Sequence, residues 1–197
     1  MDTDHLETIV RRRVRASLAA QERLLDGDVP VRVAAVGRAM VDAFRAGHKV
    51  IALGNGGSAA QAQHLVAELV GRFDRDRRPL PAITLADNGA SMTAIANDYS
   101  FDEVFARQVR GLATPGDVVV GLSTSGDSAN VVGALRAAVE MGAGTVALTG
   151  MRGGHAAKAV EHCLRFPADD TALIQEGHEV FIHSLCEIVE RSMFGGL

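Results

Sequence analysis

At 197 residues, with hydrophobic residues at 47%, the chain has the length and apolar content for one domain with a sizeable core, and general disorder is excluded. Lys and Arg total 20 against 24 Asp and Glu; the net charge of -4 excludes a general attraction to nucleic acid or anionic membranes. Aromatics at 4%, with no Trp, supply no stacking platform for single strands, and the two cysteines, Cys163 and Cys186, form neither a disulfide framework nor a zinc-finger spacing.

The opening residues are charged, without a signal-peptide core, and no apolar run reaches membrane-spanning length, so a cytoplasmic protein is expected. Asp4 followed by Glu7 resembles a capping box. Leu6, Ile9, Val10, Val14 and Leu18 follow at helical spacing, predicting a helix to about Leu25. Arg11, Arg12, Arg13 and Arg15 read as its solvated face. Pro30 suits the first turn of a second helix, whose apolar face is Val33, Val36, Met40, Val41 and Phe44, and Gly47 ends it. This helical pair precedes any strand, so it caps the sheet or packs on a partner subunit.

From Val50 the pattern alternates strand and helix, as in a parallel α/β sheet. Strands are predicted at Val50–Leu53, Ala82–Leu85, Val118–Leu122, Thr145–Thr149 and Cys163–Phe166. Helices are predicted at Ser58–Val70, Ala90–Ala96, Glu103–Leu112, Ala129–Met141 and Ala156–Glu161, with Asn97-Asp98-Tyr99 as a break. A long last helix is capped by Asp170 or Thr171 and runs to about Met193.

Two loops carry the chemistry. Gly54-Asn55-Gly56-Gly57-Ser58 is a Gly-rich turn between a strand and a helix, where backbone approaches a ligand closely and a helix N-terminus favours an anion. Ser123-Thr124-Ser125-Gly126-Asp127-Ser128 packs four hydroxyls after another strand. It lacks the Lys of a P-loop, and the first loop fails the dinucleotide fingerprint, so neither a nucleoside triphosphate nor a dinucleotide is the expected guest. In an open parallel sheet both loops lie at the ligand-binding end. On the helix after the first loop, His64 and Glu68 stand at i, i+4 and share a face. On the last helix Glu176 and Glu179 read as a charged surface row. His5 and His48 read as surface residues, His155, His162 and His178 have no evident partner, and the cysteines read as small packed hydrophobes.

The runs LGNGGSAAQAQHLVAELVGRF, GLSTSGDSANVV and IQEGHEVFIH together resemble the phosphoheptose isomerase family, of the sugar isomerase (SIS) class, over nearly the whole chain. The resemblance implies a three-layer α-β-α sandwich of flavodoxin-like topology with a five-stranded parallel sheet. It implies a single SIS domain over 1–197, with residues 1–47 used in assembly and 48–197 as the core. The implied reaction converts sedoheptulose 7-phosphate to D-glycero-D-manno-heptose 7-phosphate through an enediolate, in heptose biosynthesis.

By the same resemblance Ser123, Thr124, Ser125 and Ser128 hold the phosphate. Asn55, Gly56, Gly57, Ser58, Asn97, Asp98 and Gln175 bind substrate with Glu68. Glu68 is the base and His183 its acid partner. His64, Glu68, Gln175 and His183 bind one zinc ion per subunit, and the protein is a homotetramer with shared sites. Gln175 enters through the resemblance only, because spacing favours Glu176 or Glu179 beside His183. Two alternatives stand beside the enzyme. One is a non-catalytic relative that binds a replication-initiation partner, which the stretch Met92–Leu112 equally resembles. The other is a sugar-phosphate sensor. The presence of both Glu68 and His183 favours the enzyme.

Overall fold

The computed structural model describes residues 3–195. Two helices, α1 (Thr3–Glu22) and α2 (Val29–Arg45), lead into β1 (Val50–Gly54) and α3 (Gly57–Val70). Then come β2 (Ala82–Thr84), α4 (Gly89–Asp98), α5 (Ala106–Leu112), β3 (Val118–Ser123), α6 (Ala129–Glu140), β4 (Gly144–Gly150), β5 (His162–Phe166) and α7 (Thr171–Phe194). The sheet order is β2-β1-β3-β4-β5, every neighbouring pair parallel. This is the flavodoxin-like order, whose switch point lies between β1 and β3.

Alternate residues of the strands feed opposite cores, which makes the sandwich. Val50 and Ala52 join Val120 and Leu122 in a cluster closed by α2, α3 and α7. Ile51 and Leu53 join Val119 in a second cluster closed by α5 and α6. The central strands are apolar on both faces because helices cover both.

Some boundaries differ from the sequence pattern. Asp4 does not cap α1; the helix already includes Thr3, and Glu7 pairs with Arg11 instead. The expected break at Asn97-Asp98 is helical, because no Gly or Pro stops α4 before Tyr99, over whose ring Arg107 lies at 3.8 Å. The expected helix from Glu103 splits into a 3-10 turn, Phe101–Glu103, and α5, with Val104 and Phe105 buried between them. The expected helix over Ala156–Glu161 is a 3-10 turn, Ala156–Lys158.

Arg13 fastens α1 to α7, donating to Asp170 at 3.0 Å and to Glu176 at 3.4 Å. The apolar stripe of α1 (Leu6, Ile9, Val10, Val14 and Leu18) is exposed in the single chain.

Candidate active site

The register Gly54↔Leu122 between β1 and β3 sets the two loops side by side at the switch point. Gly54 allows the first turn of α3 to fold back, since a Cβ there would come within 2.7 Å of the Ser58 carbonyl oxygen. Gly56 begins α3 at φ 54°, and no side chain caps the helix. Ser128 occupies the N-cap of α6, yet its hydroxyl meets Ser123 Oγ at 3.1 Å rather than capping the helix. Helices α4 and α7, by contrast, are capped by Asn88 and Asp170. The two helix starts that flank the switch point are thus without side-chain caps, where an anion gains most.

Ser123 Oγ also lies 3.4 Å from Ser125 Oγ and accepts from the Gly126 amide, so the hydroxyls of the second loop form one cluster. Thr124 and Ser125 line a cavity of about 250 Å³ with Asp127, Gly150 and Arg152. Asp127 closes the loop against the segment after β4, accepting from the backbone N–H of His155 at 2.9 Å with the His155 ring at 2.6 Å. Those contacts hold its carboxyl below the usual value.

A head-to-tail amide pair bridges the loops. Asn55 Nδ2 donates to Asn130 Oδ1 at 2.8 Å, and Asn130 Nδ2 donates to Asn55 Oδ1 at 2.9 Å. Asn130 is buried. Sequence reasoning missed it, although it lies in the second motif; a polar residue in a helix's first turn carries no signal of a partner 75 positions away.

The titratable groups gather where α3 meets α7. His64 Nε2 lies 3.1 Å from His183 Nε2, 3.6 Å from Glu68 and 3.8 Å from Glu179. One donor atom each from His64, Glu179 and His183 lies within 4.8 Å of the others. Glu179 is therefore no solvated row member. Its carboxylate is aimed at His64 by Gln61, whose Nε2 donates to Glu179 at 2.9 Å and to the Gln175 carbonyl at 2.7 Å. Glu176 pairs instead with Arg13. The Gln175 side chain lies against Gly57, where a Cβ would sit 3.1 Å from its Cδ. Asn97 and Asp98, exposed at the end of α4, hydrogen-bond to each other at 2.9 Å rather than to either loop.

Two neighbours are inert by burial. Cys186 follows His183 on α7, and desolvation, then nearby Glu68, pushes its thiol up to about 12, so it stays protonated. Burial lowers His178 to about 4; its ring nitrogens lack partners of good geometry, although the Thr149 backbone offsets part of the effect.

Residues 19–150 match the SIS domain family. A phosphoheptose isomerase of a Geobacter species is 52% identical over 170 residues, covering 86% of this chain and 88% of its own. Among solved structures, a phosphoheptose isomerase from Francisella tularensis superposes with a TM-score of 0.90 at 35% identity, covering 95% of this chain and 98% of its own. That of Neisseria gonorrhoeae gives 0.88 at 40% identity, covering 94% and 98%. The chain belongs to the phosphoheptose isomerase family. Within this family frame the expected three-layer fold and five-stranded parallel sheet hold. The His64/Glu68 pair is no isolated surface salt bridge, because His183 and Glu179 close on it from α7.

Proposed function

We propose that the protein isomerises sedoheptulose 7-phosphate to D-glycero-D-manno-heptose 7-phosphate. One observation carries the reading beyond family membership: a carboxylate and facing imidazoles stand where α3 meets α7, and α3 begins at the Gly-rich loop beside the hydroxyl cluster.

The hydroxyls of Ser123, Thr124, Ser125 and Ser128, with the uncapped start of α6, bind the phosphate and fix the sugar's far end. Asn55, Gly56, Gly57 and Ser58 face the sugar, and Gln175 reaches it from α7. Glu68 takes a proton from C1, and the electron pair left behind becomes the C1–C2 double bond as His183 protonates the C2 oxygen. Return of the proton to C2, with loss of the proton on the C1 oxygen, gives the aldose. Anchoring the phosphate makes these transfers effectively intramolecular.

Two imidazoles with a carboxylate fit a zinc ion by donor type, and the observed cluster is His64, Glu179 and His183, with Glu68 flanking it and the Gln175 side chain turned toward Gly57 instead. When bound, the ion would polarise the substrate carbonyl and stabilise the enediolate oxygen. With Glu179 in the ligand set, Glu68 is left free to act as base, whereas His183 would act as acid only while its Nε2 does not hold the ion, which when bound would take over stabilising the C2 oxygen. We further propose a cytoplasmic homotetramer, in which a second copy covers the exposed stripe of α1 and supplies what Asn97 and Asp98 do not bring to the site of their own chain. No helix among the described residues is long and apolar enough to cross a membrane.

The decisive experiment incubates the protein with sedoheptulose 7-phosphate and detects the aldose. Binding without turnover would instead support a sensor, and no binding at all a protein-partner role.

A further inference from the structure

Behind the catalytic face lies a buried ion pair that the reaction does not use. Arg77 and Glu190 have side chains only 2% and 3% exposed. Glu190, on α7, accepts the backbone N–H groups of Phe73, Asp74 and Arg75 at 3.2, 3.0 and 2.8 Å, and Arg77 Nε at 3.0 Å. Burial pushes its carboxyl up, but those four donors outweigh it and hold it below the ordinary value.

Arg77 in turn serves the end of α3. That helix has no basic residue in its last turn, so its terminal carbonyls need donors from elsewhere. Arg77 supplies them: Nη2 donates to the Glu68 carbonyl at 2.7 Å, and Nη1 to those of Leu69 at 2.8 Å and Gly71 at 3.3 Å. The segment between α3 and Arg77 also reaches the other helix, with the Phe73 ring 5.8 Å from the His183 imidazole. One buried pair thus grips the backbone of Glu68 and, through Phe73, the ring of His183.

We infer that Arg77 and Glu190 are positioning residues that set the mutual placement of Glu68 and His183 for proton transfer. This rests on the acid–base reading above. The fork of Arg77 suits the task, since its donors reach several carbonyls at once and keep their charge when buried. Glu190 would keep three amide donors if Arg77 were replaced, so the loop has a route to staying folded.

The test compares wild type with Arg77→Met, Arg77→Lys, Glu190→Gln and Glu68→Gln in the full-length enzyme. Turnover, KM, melting temperature and incorporation of solvent deuterium into product are measured. Arg77→Met should lower kcat by about 10- to 100-fold, the scale of small misplacements of reacting groups, with KM moving less than about threefold. Deuterium incorporation per turnover should rise, because a misaligned pair leaves the abstracted proton longer on Glu68, where it exchanges with solvent before it is returned to C2. Arg77→Lys should restore part of both. A loss of folded protein scales kcat alone and leaves deuterium per turnover unchanged; that result would reduce the pair to a structural role and overturn the inference. Should Arg77→Met fail to fold, the lysine and glutamine variants carry the same isotope measurement. An active Glu68→Gln would sink the acid–base reading itself, whereas an inactive Glu68→Gln with an unperturbed Arg77→Met sinks only the positioning role.

Discussion

Two helical glycines should respond oppositely to the same added methyl group. A Cβ at Gly177, on α7, would fall on the ring of Phe166, and one at Gly57 would fall on the amide end of Gln175, both closer than real atoms approach. Alanine in place of glycine favours a helix by roughly 1 kcal/mol in its interior. Phe166 cannot yield: it is 1% exposed and packs edge-on against Phe181 at 6.4 Å. Overpacking a core costs about 1 to 3 kcal/mol and more where a ring must leave its site, so Gly177→Ala should destabilise by about 2 kcal/mol net. Gln175 is the end of a flexible, half-buried side chain that can swing away. Gly57→Ala should therefore leave stability within about 1 kcal/mol, while kcat/KM falls by about 10- to 100-fold as Gln175 leaves the sugar. Urea unfolding followed by circular dichroism, beside kinetics with sedoheptulose 7-phosphate, separates the two. Equal destabilisation by both variants would refute the argument that the clashing partner decides the cost. A Gly57→Ala enzyme with normal kcat/KM would refute the placement of Gln175 in the site.

Glu68→Gln should lower turnover by at least ~100-fold with little change in unfolding midpoint, and near-normal turnover would reject it as base. Elemental analysis of protein purified without chelator should find about one zinc per chain, and Glu179→Gln should weaken zinc retention more than Glu68→Gln does; the reverse order would return the ligand role to Glu68. Light scattering should report four chains, and Val10→Glu with Val14→Glu on the α1 stripe should shift the protein toward smaller species. Asp117 is 1% exposed; burial opposes its charge, but bonds from Lys49 and Thr114 prevail and lower its pKa. A depressed carboxylate stabilises the fold above its unfolded pKa, and that contribution is lost as pH falls through the folded one. Asp117→Asn should therefore lower stability at pH 7 and flatten the acid limb of the stability profile, which urea midpoints between pH 3 and 7 would read.

Period and punctuation already determined much in the sequence. The alternation with helical segments read the runs at Val50, Val118 and Thr145 as strands of a parallel sheet, with the fully apolar Val118–Leu122 suited to its centre, and it set the turns after the first two at the sheet's ligand end. The His64/Glu68 pair was legible for the same reason, because i, i+4 on one helix needs no knowledge of the rest of the chain. What touches that pair was not. Glu179 and Gln175 are four residues apart on one helix, and local spacing cannot tell which turns toward His64 and which toward Gly57; the packing of α7 across α3 decides it. The Asn55–Asn130 amide pair and the grip of Arg77 on Glu68 are likewise contacts between segments far apart in sequence. Such contacts are chosen by how two helices cross a sheet, a property of the whole fold that no single stretch of residues carries.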